Sequence, residues 1–256
     1  MPAGMKTLQQ TPNVRRTSER QGAIPDALDI LEQFGSAVTI RRSCEIYGQG
    51  QPTEFCWRIV SGCARTVSLM DDGRRQVSEF LWSGDVLGVD DQDVFASDAE
   101  AVTAVRLRRY PRRMVETLVQ THAALAVRLR TMAVTSLRRV HRQMIRLGCK
   151  TATEKIASFL LEMDGRPKRT NRRFVELPMT RSDIADYLGM TTETVCRVLA
   201  RLQHQGTVTI LRNSLDLRDR VALLELAGEL RTDAALAYRY RVLPEVSLVA
   251  DGLGEN

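Results

Sequence analysis

The sequence predicts an α+β fold with an N-terminal β-roll of the jelly-roll type, a long dimerisation helix and a C-terminal winged helix-turn-helix. Three observations indicate this order. Short apolar runs broken by glycines fill residues 34–110, a helical repeat follows over residues 111–148, and two short helical patterns joined by a glycine lie within residues 149–235. Residues 1–33 are expected to form a flexible leader and residues 236–256 a tail.

The composition is that of a basic globular protein. The 256 residues include 43% hydrophobic residues, enough for a core, and carry a formal net charge of +6. A basic balance favours polyanionic partners, although a solvated basic surface would have the same composition. The sequence contains neither a long apolar run nor the apolar centre of a secretory signal, so we expect a cytoplasmic protein without a membrane span.

The cysteines and histidines show no pattern of a metal or catalytic site. The five cysteines are scattered and include no CxxC pair, so we expect reduced thiols, no disulfide framework and no zinc site. The three histidines lack metal-type or nucleophile spacing, and no phosphate-cradling glycine loop is visible, so we do not expect an enzyme. The residues in question are Cys44, Cys56, Cys63, Cys149, Cys196, His122, His141 and His204.

Alternating apolar patterns predict the strands of the β-roll. Residues 66–70 and 76–80 alternate or nearly alternate, and the Asp72-Gly73 pair between them indicates a hairpin. Residues 101–107 are predicted to form a further strand. Several strands at close spacing are typical of an antiparallel barrel or jelly roll.

A single helix is predicted from Pro111 to Leu147, with Gly148 ending it. Apolar or small residues recur on one side, and arginines occupy the others. A helix this long needs a cover for its apolar stripe: a second copy would give a parallel two-helix seam, and the alternative is packing wholly on its own chain. The expected dimer interface comprises Leu118, Leu125, Leu129, Met132, Ser136, Val140, Met144 and Leu147.

The C-terminal pattern predicts a helix-turn-helix followed by a β-wing. Thr180 is expected to cap the first helix, Asp183 to suit its positive end, and Gly189 to supply the left-handed turn residue. Either Thr191 or Thr192 caps the second helix. The flanking predictions are a helix at 153–163, a basic loop at 164–173, strands at 174–177, 208–211 and 215–217, and a helix or extended segment at 221–226.

The outward side of the second helix predicts a reader of the DNA major groove. Arg197 can bond bidentately to guanine, and Glu193 can accept a hydrogen bond from cytosine. A solvent-facing ion pair between them is the alternative, but within a helix-turn-helix base contact is favoured. The expected base contacts are Thr192, Glu193, Cys196 and Arg197, and the expected phosphate contacts are Thr180, Arg181, Ser182, Arg201 and Arg212.

Residues 177–206, LPMTRSDIADYLGMTTETVCRVLARLQHQG, resemble the CRP/FNR family of bacterial transcription regulators, and ETVCR within them resembles its FNR and FixK branch. Residues 62–88 are similar to the family's β-roll, so the resemblance covers roughly residues 34–226. It implies a homodimer that binds a TTGA-N6-TCAA inverted repeat and recruits RNA polymerase, as an activator, in low-oxygen or nitrogen metabolism.

Two departures bear on cofactors. In the family's cyclic-nucleotide binders, a G-E-L turn is followed by Arg and Ser or Thr that hold the phosphate, whereas residues 84–93 here, GDVLGVDDQD, are acidic and lack that arginine. FNR itself carries an N-terminal cysteine cluster, and no cysteine here precedes Cys44. We therefore expect no cofactor and no cyclic nucleotide, with Cys44, Cys56 and Cys63 as buried strand residues. The alternative is an effector-dependent regulator whose β-roll senses an unidentified ligand or a redox signal.

Cys196 is a further departure, in the DNA-facing helix, because the FNR branch usually has serine there. A thiol near arginines can be oxidised, and the added bulk and charge would clash with DNA. The alternative is a conservative replacement that packs against a thymine methyl group. Cys196 is therefore a hypothetical redox site.

Overall fold

The computed structural model describes residues 27–89, 93–166, 174–211 and 214–229. Two antiparallel sheets form a β-roll, two consecutive helices follow, and a winged helix-turn-helix comes last among the described residues. This confirms the predicted fold class. No helix of the described residues is both long and apolar enough to cross a membrane.

The β-roll packs two four-stranded sheets around an aromatic centre. The strands are β1 (Ser36–Ile40), β2 (Glu45–Tyr47), β3 (Phe55–Ser61), β4 (Cys63–Leu69), β5 (Arg75–Trp82), β6 (Val86–Leu87), β7 (Asp98–Ala101) and β8 (Val105–Pro111). Their order is β1-β8-β3-β6 in one sheet and β2-β7-β4-β5 in the other. Between the sheets, the ring of Tyr47 stacks 3.9 Å from that of Phe95 and 5.1 Å from that of Trp57. These rings fill the interior.

The predicted hairpin is present, but the strand predicted at residues 101–107 is not continuous. β4 and β5 pair antiparallel, and Gly73 between them has a φ of +82°. β7 ends at Ala101 and β8 begins at Val105, because the two strands belong to different sheets. The corner is held by Cys63, whose N–H donates to Thr103 Oγ1 at 3.0 Å.

The last residues of the predicted leader are helical. A 3-10 helix, Ala27–Phe34, buries Leu28 and Leu31 against Cys56 and Tyr110. Residues 27–33 of the predicted leader are therefore part of the fold, because two leucines at this spacing cover an apolar surface. The rest of the predicted leader and the predicted tail lie outside the described residues.

The predicted single long helix is interrupted. α1 (Arg112–Thr121) and α2 (Ala123–Cys149) are separated by His122, whose φ of −124° and ψ of 91° are extended. Thr121 Oγ1 hydrogen bonds with His122 Nδ1 at 2.8 Å and also donates to Leu118 O, so side-chain bonds compete with the helical ladder here. Pro111 precedes α1 as its N-cap, and Gly148 lies inside the last turn of α2.

The C-terminal domain has the predicted winged arrangement. Its elements are α3 (Ala152–Asp164), β9 (Phe174–Glu176), α4 (Arg181–Leu188), α5 (Thr192–His204), β10 (Val208–Ile210), β11 (Ser214–Leu217) and α6 (Arg220–Ala227). The three strands form a sheet in the order β10-β11-β9. The segment predicted at residues 221–226 as a helix or an extended run is helical.

One hydrophobic core joins the β-roll to the C-terminal domain. Val77 and Phe80 of β5 belong to the same buried cluster as Phe159 of α3 and Tyr187 of α4. The Phe80 ring lies 5.1 Å from that of Tyr187 and 6.5 Å from that of Phe159. The two domains therefore cannot separate without exposing aromatic surface.

Replacing Phe80 by alanine should lower the free energy of unfolding by about 3–5 kcal/mol, because the ring is buried and its cavity would not refill. Urea titration followed by circular dichroism measures this change. The matched control is Leu69→Ala at the exposed end of β4, which should change the free energy by less than about 0.5 kcal/mol. Equal effects of the two changes would contradict the shared core.

Candidate nucleic-acid interface

The first helix of the helix-turn-helix begins at a capping box. Thr180 Oγ1 accepts from the N–H of Asp183 at 3.1 Å, and Asp183 Oδ2 accepts from the N–H of Thr180 at 3.0 Å. Two backbone donors at the start of α4 are thus satisfied reciprocally, as a polar residue followed three positions later by a carboxylate predicts. The predicted cap at Thr180 is confirmed.

The turn between α4 and α5 has the predicted chemistry. Gly189 has a φ of +59°, and its N–H donates to Ala185 O, which ends α4 sharply. Thr191 caps α5 by accepting from the N–H of Thr194 at 3.2 Å, so Thr192 is the first helical residue. The inner side of α5, formed by Val195, Val198 and Leu199, is buried against α4 and α3.

The outer side of α5 is free for contact. Thr192, Glu193, Cys196 and Arg197 are all exposed in its first two turns. No ion pair joins Glu193 to Arg197, both of which lie in the described part of the chain. Their carboxylate and guanidinium groups are therefore available to a ligand, and the four side chains form one continuous polar surface.

The residues predicted to contact phosphate differ in their exposure and in their hydrogen bonds. Ser182 is exposed and Arg181 half-buried at the start of α4. Arg201 donates from Nη2 to Thr153 Oγ1 and so ties α5 to the start of α3, a contact that sequence reasoning missed. A guanidinium has five donors, so Arg201 retains others for a phosphate. Arg212 lies outside the described residues.

The side of α4 that faces the β-roll carries ion pairs that the sequence did not predict. Asp183 Oδ1 lies 2.7 Å from Arg65 Nη1 and 3.2 Å from Arg75 Nη1, and Asp186 Oδ2 lies 2.8 Å from Arg75 Nη1. Burial acts to raise the pKa of Asp183, but the hydrogen bonds from Thr180 and the charges of the arginines outweigh it, so the pKa lies below its usual range.

Tyr187 of α4 is held by α2 and α3. Its carbonyl accepts from Gln143 Nε2 at 2.5 Å, and its hydroxyl accepts from Arg146 Nη1 at 3.1 Å while donating to Glu162. Arg146 and Glu162 also pair at 2.7 Å. Burial raises the pKa of the Tyr187 hydroxyl, which stays neutral and keeps its proton to donate.

Comparison with known proteins decides the family. The Crp-like helix-turn-helix domain matches residues 154–226, and the cyclic nucleotide-binding domain matches residues 37–122. The nitrogen fixation regulation protein FixK of Azorhizobium caulinodans is 37% identical over 201 residues, which cover 77% of this chain and 81% of that protein. The chain belongs to the CRP/FNR family of transcription regulators.

Two further relatives place this CRP/FNR regulator in the FixK-like branch. The transcriptional activator protein FnrL of Cereibacter sphaeroides is 31% identical over 211 residues, covering 80% of this chain and 85% of that protein. The structure of FixK2 from Bradyrhizobium japonicum is similar with a TM-score of 0.71 and 37% identity, covering 75% of this chain and 96% of that chain. The resemblance stated from the sequence is confirmed, and α5 is the recognition helix of a DNA-binding domain.

The residues predicted to form the dimer interface differ in how far their own chain buries them. Leu118 and Leu125 are buried within their own chain, in the cluster under the 3-10 helix, and Leu129 and Met132 are half-buried against it. Ser136 and Leu147 are half-buried, whereas Val140 and Met144 are 50% and 67% exposed. Val140 and Met144 are therefore open to a second copy, whereas Leu118 and Leu125 already pack within their own chain.

The exposed apolar side of α2 follows a heptad. Its members are Ala133, Leu137, Val140 and Met144, at spacings of four, three and four residues. Leu137 is 68% exposed and lies outside the predicted interface. We call these four residues the α2 stripe. Spacing of this kind is that of a two-helix seam.

The acidic turn at Asp85 is tied to helices of the regulator. Asp85 Oδ1 accepts from Arg139 of α2 at 2.8 Å, and Asp85 Oδ2 pairs with Arg166, just after α3, at 3.1 Å. A cavity of about 500 Å³ lies between this turn and α2. The turn thus connects all three parts of the chain.

The cysteines agree with the prediction only in part. Cys56 and Cys63 are buried strand residues, and burial raises the pKa of Cys56 to about 11. Cys44 was expected to be buried too, but it is exposed in the turn before β2. No group of three or more metal-type side chains comes together within the residues that the structure describes.

Replacing Asp183 by asparagine should destabilise the protein by about 1–3 kcal/mol at pH 7, because two arginines lose their shared carboxylate. A lowered folded pKa contributes stability above the unfolded pKa, near 3.9, and loses it as the pH falls through the folded value. Urea titrations of both forms from pH 7 to pH 3 should therefore converge at the acidic end. Exposed Asp72→Asn serves as the control, and a difference that grows on acidification would contradict the assignment.

Proposed function

We propose that this protein is a homodimeric, sequence-specific transcription regulator, acting chiefly as an activator and not as an enzyme. It binds a TTGA-N6-TCAA-like inverted repeat and recruits RNA polymerase. The observation that carries the proposal is the exposed polar surface on the first two turns of α5. In a helix-turn-helix, these turns enter the major groove.

The residues of this surface have distinct proposed roles. Arg197 bonds bidentately to a guanine, and Glu193 accepts from a cytosine amino group. Thr192 and Cys196 contact neighbouring base edges. The proposed phosphate contacts, which position the helix without reading sequence, are Thr180, Arg181, Ser182, Arg201 and Arg212.

Dimerisation through the α2 stripe supplies the symmetry that an inverted repeat requires. The stripe is apolar and exposed, and its heptad spacing matches a parallel seam. Two copies related by a two-fold axis would present their recognition helices to successive major grooves on one side of the duplex, about one helical turn apart.

We further propose that DNA binding needs no cyclic nucleotide and that the protein acts in the cytoplasm. The Asp85 carboxylate would repel a phosphate, and the N–H groups of Gly84 and Asp85 already donate to Ile59 O and Trp82 O. The aromatic stack of Tyr47, Trp57 and Phe95 fills the β-roll interior. The residues present therefore do not fit an anionic nucleotide.

The second candidate is an effector-dependent regulator. The cavity of about 500 Å³ between the β-roll and α2 favours it, because apolar residues such as Leu81 and Met132 share its walls with charged ones such as Glu79 and Arg139. Such walls would accept a small molecule with both apolar and polar groups. The relatives are named for nitrogen fixation regulation and transcriptional activation. We propose genes of low-oxygen or nitrogen metabolism as the targets of either form.

A salt-controlled titration of purified, ligand-free protein tests the function. It compares a TTGA-N6-TCAA duplex with the same duplex changed at the guanine of each half-site. Tight binding that is lost on this change supports an effector-independent reader. Equal binding to both duplexes contradicts the proposed specificity, and weak binding to both favours the effector-dependent candidate.

Replacing Leu137 by aspartate should disrupt the dimer and weaken operator binding at least tenfold, because a charge in the seam loses its hydration. Sedimentation measures the dimer, and titration of the same samples measures DNA affinity. Thr131→Asp adds the same charge on an exposed neighbouring position of α2 and should leave both values near those of the native protein. A dimeric Leu137→Asp protein would contradict the proposed seam.

Peroxide should abolish DNA binding of the native chain if Cys196 is a redox site, because an oxidised thiol on the exposed side of α5 adds bulk and charge. Cys196→Ser should bind DNA and resist the treatment. Titrations before and after peroxide, with reversal by a thiol reductant, measure the effect. Equal sensitivity of the native and Cys196→Ser proteins would eliminate this hypothesis.

A further inference from the structure

The β-roll contacts the helix-turn-helix directly, through ion pairs to α4. Arg65 of β4 and Arg75 of β5 reach across the domain boundary to Asp183 and Asp186, with nitrogen–oxygen distances of 2.7–3.2 Å. Glu100 of β7 lies behind them and pairs with Arg65 at 2.6 Å and with Arg75 at 3.2 Å. Three strands of one sheet thus contribute charged side chains to an ion-pair network with two successive turns of α4.

These ion pairs are shielded from solvent. The side chains of Arg65, Arg75 and Asp183 are 15%, 26% and 6% exposed. Ion pairs between side chains that are so little exposed are screened less by salt than ion pairs on an open surface. Gln76 Nε2 adds a hydrogen bond to Tyr187 O at 3.4 Å, and the Phe80 ring packs on Tyr187. The contact therefore combines charge, hydrogen bonding and apolar packing on a single helix.

The contact between the β-roll and α4 leaves the DNA-reading surface of α5 exposed. Thr192, Glu193, Cys196 and Arg197 are exposed although α4 is docked. α5 follows α4 after a turn whose conformation Gly189 sets, so the position of α4 determines where α5 points. Docking of α4 on the β-roll is thus compatible with DNA binding.

We propose that Arg65 and Arg75 are positioning residues for operator binding: they form an ion clamp that holds α4 on the β-roll and so sets the separation of the two recognition helices in the dimer. This inference rests on the proposed function. Base reading within one half-site belongs to α5 alone. The clamp acts on the second half-site, because a loosened domain must lose freedom before both helices engage.

Arg75→Ala tests the clamp, with Arg74→Ala as the matched control. Arg74 is the neighbouring residue, is 76% exposed and pairs with Asp72 inside the hairpin, so its loss removes a similar charge without touching α4. Arg75→Lys keeps the charge and is the conservative variant. Circular dichroism and sedimentation confirm that each variant is folded and of native mass.

Two readouts are measured on all four proteins. Without DNA, hydrogen exchange reports the opening of α4 at residues 181–188. With DNA, titrations compare the inverted repeat with its native spacer, repeats with spacers one base pair shorter or longer, and a single half-site. Arg75→Ala should exchange faster in α4, bind the native repeat about tenfold more weakly and discriminate less between spacers, with half-site affinity unchanged. Arg75→Lys should recover most of the difference.

Three different results would contradict the clamp or the proposed function, and they can be told apart. Arg75→Ala with the exchange rates and spacer preference of Arg74→Ala would eliminate the clamp and leave the proposed function intact. Tighter operator binding by Arg75→Ala would show that docking inhibits the regulator, contrary to the proposal. Failure of the native protein to bind the repeat would overturn the proposed function, and the operator role of the clamp with it.

Discussion

The position of the DNA-binding domain depends on the burial of Tyr187. Its ring packs against Phe80 of the β-roll and Phe159 of α3, and its hydroxyl and carbonyl are bonded to Arg146, Gln143 and Glu162. A buried aromatic side chain whose polar atoms are all hydrogen-bonded is costly to move. Rotation would expose the ring or leave the polar groups without hydrogen-bond partners. α4 is therefore fixed to all three parts of the chain, and α5 is fixed with it.

Charge distribution divides the molecule into paired and unpaired regions. At the domain boundaries, arginines from one part meet carboxylates from another, as in the pairs of Asp85 with Arg139 and Arg166. On α5, by contrast, Glu193 and Arg197 remain open to solvent. Internal ion pairs thus join the parts of the chain, while Glu193 and Arg197 stay available to the proposed DNA ligand.

Local chemistry made much of the fold predictable, and long-range contacts account for what was not. The cap at Thr180, the left-handed turn at Gly189 and the wing follow from neighbouring residues, so the sequence alone predicts them. The break at His122 has no glycine or proline to indicate it, and the pair of Arg65 with Asp183 joins residues more than a hundred positions apart. The seam stays a prediction, because the sequence does not show that Leu118 and Leu125 are buried within their own chain while Val140 and Met144 are exposed.

The most direct test of the central claim is a double-mutant cycle between Arg197 and the guanine of the half-site. Native protein and Arg197→Ala are each titrated, at fixed salt, against the TTGA-N6-TCAA duplex and the duplex changed at that guanine. If Arg197 reads this base, each single change costs about 1–3 kcal/mol per half-site, and the two together cost little more than one. Additive losses would show that Arg197 and the guanine act independently and would contradict the assigned reading.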